Sequence, residues 1–353
     1  MDNNMNLQYS GERLLRPEEL LKLHGVNPDE WEVVRTTVSQ HENKWQQWVR
    51  FMRKEIHPQW PVVQGVRVSQ SYPSRHKRKP SEITTAVIIP DMHVGFIRQT
   101  NGNLIPLHND RACFAVAGFI RETKPDMVVM LGDNLDLAEW SNKYLVTPDL
   151  AYTTQPSLEW FSSWLRGWRD YTGYVCYLEG NHDKRLRDAL VANMRAACGL
   201  HQVDSDNPDP ALSIPGLLDL HNLGVDWIGD YPRGEFWLNT NLCAMHAGAL
   251  SNEPGRSAGK SLDGAAYSML FGHAHRLESA HRTVWKNGKP HTYGSYCMGT
   301  LAHIDGRVPS NTARENWQTG FGVVHLYPDE KFHVIQVPIH DNMFYYNGRE
   351  YHG

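Results

Sequence analysis

Two periods compete in the first part of the chain. Residues 12 to 25, ERLLRPEELLKLHG, predict a short helix with Pro17 in its first turn, Glu18 and Glu19 beside it and Gly25 as the stop. From Trp31 to Ile56, WEVVRTTV alternates as a strand does, while Trp45, Trp48 and Met52 recur at helical spacing. That stretch reads only as part of a small folded module. YPSRHKRKPS (72 to 81) then joins two prolines to a basic run, as a linker does.

Beyond residue 81 apolar strands alternate with helical segments, the pattern of a layered α/β domain. Strands are predicted at 83 to 90, 126 to 132 and 173 to 180, and helices at 109 to 124, 157 to 171 and 184 to 197. The later part is β-rich. EFWLNTNLCAMHAG (235 to 248) reads as two strands about an Asn-Thr-Asn turn, and residues 281 to 299 as a hairpin turning at Asn287-Gly288. A second hairpin is expected at 320 to 338 around Pro328-Asp329. The predicted fold is α/β: two packed mixed β-sheets flanked by helices, a four-layer αββα sandwich with a small N-terminal module. Its expected divisions are a module over 1–71, a linker over 72–81, the main domain over 82–340 and a tail over 341–353.

Composition changes this picture little. At 353 residues the chain can bury a sizeable core, and its 41% hydrophobic and 21% charged residues are ordinary soluble usage. A net charge of -4 gives no bulk attraction to nucleic acid or anionic membrane, so any polyanion site must be local. The first residues lack a basic segment followed by an apolar one, and no window has the apolar length to span a bilayer. Five scattered cysteines without a C-x-x-C pair suit reduced thiols, so a soluble cytoplasmic protein with no membrane partner is expected. The 19 histidines are an excess, and five of them fall at or just after predicted strand ends.

Those ends are Asp91-Met92-His93, Gly132-Asp133-Asn134-Leu135-Asp136, Gly180-Asn181-His182-Asp183, His246 and Gly272-His273-Ala274-His275. Ligands of open α/β sheets collect at the carboxyl ends of strands, so the five ends can converge on one crevice. The i, i+2 spacing of Asp91 with His93 and of His273 with His275 puts each pair on one side of an extended chain. Gly272 is expected to let the backbone come close at the rim. Carboxylate, imidazole and amide oxygen suit Mn, Fe or Zn, whereas thiolate is missing and a pure oxygen cage for Ca is absent. Asp91, His93, Asp133, Asn181, His246, His273 and His275 give seven candidate ligands, enough for two ions at four apiece if Asp133 bridges.

In their order, D-x-H, G-D-x-x-D, G-N-H-D, a later His and G-H-x-H resemble the calcineurin-like metallophosphoesterases over about residues 81 to 340. The resemblance implies that Asp91, His93, Asp133 and His275 hold one metal and Asp133, Asn181, His246 and His273 the other, with Mn the first expectation and Fe or Zn the alternatives. It implies His182 as the general acid, Asp136 as its orienting partner, and attack on phosphorus by a metal-bridging hydroxide. Asp136 is followed by Leu137 and Ala138 rather than Arg-Gly, and the motif is GNHD with both histidines of G-H-x-H kept. This is closer to the phosphodiesterase and DNA-repair nuclease branches than to the protein Ser/Thr phosphatases. HGVNPDEWEVV (24 to 34) also resembles N-terminal segments of phosphoesterases of phages and prophages.

The expected activity is therefore phosphodiester hydrolysis on DNA or RNA, with a phosphomonoesterase and a non-catalytic binding module as alternatives. Arg185, Arg187 and Arg276 adjoin the motifs and can either meet phosphate oxygens or pair with carboxylates. Asp183 reads as a loop brace or helix cap, the basic run at 75 to 79 as solvated linker, and His201, His221 and His340 as ordinary histidines.

Overall fold

The computed structural model describes residues 4–41, 44–54, 82–141, 147–203, 205–308 and 315–353. The expected linker and its basic run lie outside them. The chain divides into two compact units, Met1–Arg67 and Val68–Gly353.

In the first unit β1 (Asn4–Gly11), α1 (Pro17–Leu23), β2 (Trp31–His41) and β3 (Lys44–Arg53) form a helix and an antiparallel sheet ordered β1-β3-β2. Leu20 and Leu21 of the helix pack on Val49 and Phe51, with Met5, Leu7 and Tyr9 around them. The helical spacing of Trp45, Trp48 and Met52 yields to the strand period of Gln47, Val49 and Phe51, which are buried while Trp48 and Met52 stay exposed. Gln47 is tolerated inside because its amide exchanges hydrogen bonds with the Leu15 backbone. The helix expected over 12 to 25 starts only at Pro17, whose fixed φ suits a first turn, and Asn4–Gly11 ahead of it is strand.

The second unit runs β4 (Thr84–Ile89), β5 (Phe96–Arg98), β6 (Leu104–Pro106), α2 (Asp110–Thr123), β7 (Met127–Met130), α3 (Thr154–Arg169), β8 (Tyr174–Leu178) and α4 (Arg185–Asn193). It continues through α5 (Ile214–Leu218), β9 (Val225–Ile228), β10 (Glu235–Asn239), β11 (Leu242–Met245), α6 (Ser257–Ser261) and β12 (Ser268–Phe271). Three hairpins close the chain: β13 (Leu277–Lys286) with β14 (Lys289–Met298), β15 (Gly320–Leu326) with β16 (Phe332–Pro338), and β17 (Met343–Tyr346) with β18 (Arg349–His352).

Six strands form a mixed sheet ordered β16-β15-β4-β7-β8-β9, in which β4, β7, β8 and β9 are parallel. Five more form a second mixed sheet, β10-β11-β12-β14-β13, with β11, β12 and β14 parallel. The central strands read as unbroken apolar runs because they are covered on both faces. Ile88, Val129, Cys176 and Leu178 share one core with Leu242, Ala244, Leu270 and Met298 of the other sheet. On the opposite face Val87, Val128, Val175 and Tyr177 pack with Phe119 of α2 and Phe161, Trp164 and Trp168 of α3. Ala258 of α6 lies against Met269, Phe271 and Cys297.

Two expectations change here. The helix predicted over 184 to 197 ends at Asn193, and a separate 3-10 turn follows it at Arg195–Ala197. The residues expected as a tail, 341–353, carry the β17–β18 hairpin, turned by Asn347 and Gly348 at φ 49° and 78°. Phe344 and Tyr351 stack with centroids 5.1 Å apart and both meet Phe119, so burial of two aromatic rings anchors the chain end. No helix among the described residues is long and apolar enough to cross a membrane. All five cysteines are unpaired thiols; four are buried, whereas Cys198 is exposed.

Candidate metal centre

The carboxyl ends of β4, β7 and β8 in one sheet, and of β11 and β12 in the other, bring the motif residues together. Three overlapping groups have ligand atoms within 4.8 Å of one another: Asp91, His93 and His275; His93, Asp133 and His182; and Asp133, His246 and His273. Asn181 joins the last through its Oδ1, 3.0 Å from His246 Nε2. Asp91, His93, Asp133 and His246 are almost wholly buried.

The pairs do not converge by extended-chain alternation, as their spacing suggested. His93, Asp133, His273 and His275 all have left-handed backbones, with φ of 50°, 49°, 64° and 57°. Such a conformation disfavours residues with a Cβ and costs on the order of 1 kcal/mol or more apiece, so it persists only where surroundings enforce it. The enforcement is visible. His93 N–H donates to Asp133 O at 2.9 Å and Asp136 N–H to Val94 O at 3.0 Å, lacing the β4 and β7 loops together. Asp183 accepts from the backbone N–H of Asp133, Leu135 and Gly180 and from the Tyr177 hydroxyl, which makes it the expected loop brace. His273 N–H donates to both oxygens of Asp91 at 2.9 Å. A Cβ built at Gly272 would collide with that Asp91 carboxylate, and one at Gly180 with Asp133.

Hydrogen bonds also choose the imidazole tautomers. His93 Nδ1–H donates to Asp136 Oδ1 at 2.9 Å and His246 Nδ1–H to Leu131 O at 2.8 Å, so Nε2 is the nitrogen each ring turns to the centre. His93 Nε2 stands 2.9 Å from His275 Nε2, and His275 Nε2 stands 3.3 Å from Asp91 Oδ1. Two imidazole nitrogens sharing one ion at about 2.1 Å each would be about 3 Å apart at a right angle, so this spacing fits a common cation. His246 Nε2 is likewise 3.2 Å from His273 Nδ1 and 3.3 Å from Asp133 Oδ2.

Burial lowers His93 and, with the charge of His246, takes His273 down to about 4, so both rings are neutral donors near pH 7. Burial alone would lower His246 too, but the Asp133 carboxylate raises it to about 9. The His246 side of the centre thus holds carboxylate charge that favours a cation beside it.

His182 sits at the edge of this cluster. Its Nδ1 is 3.0 Å from Asp136 Oδ1, and its Nε2 is 3.9 Å from Asp133 Oδ2. Burial opposes a charge on this ring, yet the Asp133 and Asp136 carboxylates prevail and raise its pKa. Asp136 therefore holds two imidazoles, His93 and His182, from one oxygen.

The three arginines separate. Arg185 is at the centre, donating to Asp136 O at 2.7 Å, with its other terminal nitrogen 3.0 Å from His182 Nε2. Arg187 pairs with the buried Glu179 at 2.9 Å, and Arg276 with Glu278 at 3.0 Å and the carbonyls of Ser251 and Glu253. Those two are committed to carboxylates rather than presented to the ligand groups. Two residues absent from the motifs lie close by: Tyr231, whose ring meets His246 edge-on at 5.5 Å, and Trp317, whose ring is 4.3 Å from that of His275. Neither carries a sequence signal, because each is brought in by a loop remote from every motif.

No protein-family model matches the chain. It is 28% identical over 265 residues to "Gene 54 protein" of Mycobacterium phage L5, covering 69% of this chain and 94% of the relative. A second "Gene 54 protein", of Mycobacterium phage D29, is 28% identical over 239 residues, covering 62% and 84%.

Proposed function

We propose that the chain is a phosphoesterase of the calcineurin-like superfamily that uses two divalent cations, Mn first with Fe or Zn as alternatives, to hydrolyse phosphodiesters of DNA or RNA. The observation that carries this reading is the pairing of ligand groups: Asp91, His93 and His275 on one side, Asp133, His246, His273 and Asn181 on the other, with Asp133 reaching both. The mixed carboxylate, imidazole and amide donors suit those ions. The helix packing outside the two facing sheets fits the four-layer αββα sandwich, and the unpaired thiols fit a reducing cytoplasm.

When bound, the cations supply an activated water and neutralise charge on the phosphoryl oxygens. The protein's own contribution is at His182. Asp136 fixes Nδ1, so a proton delivered to the departing oxygen leaves from Nε2, and the Asp133 and Asp136 carboxylates raise the ring's affinity for that proton. Arg185, beside the same nitrogen, is placed to meet the phosphoryl group. With Arg187 and Arg276 engaged elsewhere, one arginine of the three faces the centre, which suits a singly charged diester better than a dianionic monoester.

The test is hydrolysis by the Mn-loaded protein. Bis-(p-nitrophenyl) phosphate and oligonucleotides should be cleaved faster than p-nitrophenyl phosphate, and Asp133→Ala should fall to background. Monoester cleavage alone would exclude the diester reading, and no metal uptake with no hydrolysis would exclude both. His182→Ala should cost about 10²-fold or more with an alkoxide leaving group and under about tenfold with a nitrophenolate, which needs little protonation. Equal losses would remove His182 as proton donor.

A further inference from the structure

Between β9 and β10 the chain passes Tyr231, which no motif contains. Its ring stands edge-on to His246 with centroids 5.5 Å apart, and Lys184 Nζ lies 5.7 Å from the ring centroid. The residue is half-buried, and its hydroxyl has no hydrogen-bond partner among the described residues.

What fixes the residue is equally specific. Tyr231 N–H donates to Glu179 Oε2 at 3.0 Å, and Glu179, buried at the end of β8, is held from its other oxygen by Arg187 at 2.9 Å. Glu179 immediately precedes the Gly180-Asn181-His182-Asp183 loop. The same strand end therefore positions Asn181, His182 and, through the Glu179 carboxylate, Tyr231. Arg187, which adjoins the motif without entering the centre, acts here as a positioning residue.

Resting on the phosphoesterase reading, we infer that Tyr231 is a substrate-contacting residue, its hydroxyl donating a hydrogen bond to a non-bridging phosphoryl oxygen on the His246 side of the centre. A neutral donor there adds to the grip on a phosphoryl group that Arg185 supplies beside His182. Lys184, tied to Asp188 at 3.1 Å, holds positive charge over the ring and makes its O–H a better donor.

The test compares wild type with Tyr231→Phe by two measurements that do not depend on turnover: Mn bound per chain, and calorimetric binding of inorganic phosphate to the Mn-loaded protein. The expected result is unchanged Mn uptake with phosphate binding weakened by about tenfold, the effect of one hydrogen bond to an anion. Equal phosphate affinity in the two proteins would overturn the Tyr231 contact while leaving the phosphoesterase reading intact. Loss of Mn along with phosphate would overturn it too, by making Tyr231 a support for His246. If wild type takes up Mn but no phosphate, the phosphoesterase reading fails and the contact with it.

Discussion

His108 is fully buried, with its Nδ1 3.3 Å from Gly95 O, its ring 4.0 Å from that of Trp160, and its Nε2 without a partner among the described residues. Burial drives its pKa down to about 4, only partly offset by the Gly95 hydrogen bond and the charge of Asp110. The fold thus accepts the neutral ring and rejects the charged one. In the unfolded chain the same ring takes a proton near its ordinary value of about 6.5. Stability from His108 is full above about 6.5, falls as pH drops toward 4, and levels off below it, a change of about 3 kcal/mol. Urea midpoints of wild type and His108→Phe across pH 4 to 7 check this. The variant should lose about one proton's worth of slope in that window, whereas parallel curves would show that His108 is protonated in the native state. Among the centre's residues, the identities of the seven candidate ligands were legible because each ends an apolar strand. Their left-handed backbones were not, since loop-to-loop bonds such as His93 N–H to Asp133 O impose them. Arg185 and Arg187 could not be told apart either: whether a guanidinium meets a carboxylate depends on Glu179 being turned toward it.

At the scale of elements, legibility followed burial. β4, β7 and β8 were readable because covering both faces demands uninterrupted apolar residues, and the β13–β14 turn because Asn287-Gly288 supplies the positive φ that such a hairpin needs. β1 was missed although Met5, Leu7 and Tyr9 alternate toward the core, because its polar partners Asn4, Asn6 and Gln8 make the segment look like a solvated terminus. β17–β18 was missed despite Asn347-Gly348. Its value lies in Phe344 and Tyr351 reaching Phe119, 225 or more residues earlier by number, which no local window contains. The helical spacing in β3 left its period open for the converse reason: large residues on the exposed face, Trp48 and Met52, stand among those on the buried one. A strand with one wet aromatic face mimics helical periodicity over ten residues.

At the scale of the whole chain, every candidate ligand lies between Asp91 and His275, and so do Asp136, Asp183 and the Leu131 carbonyl that orient them. The first unit has a core of its own, Leu20, Leu21, Val49 and Phe51, made entirely from its own helix and strands. Among the described residues, the second unit's cores draw on residues beyond Thr84. By length the larger unit is long enough to fold alone, whereas the smaller is near the lower limit for independent stability. A chain beginning at Glu82 should therefore bind the same number of Mn ions as the full chain, with affinities within about twofold, as metal binding is set by ligand geometry close at hand. Elemental analysis after gel filtration, with a competition titration for affinity, checks it. One ion fewer in the shortened chain would mean that residues 1–81 supply a ligand, and a loss of both would mean that the β4 and β7 loops depend on the first unit for their left-handed geometry.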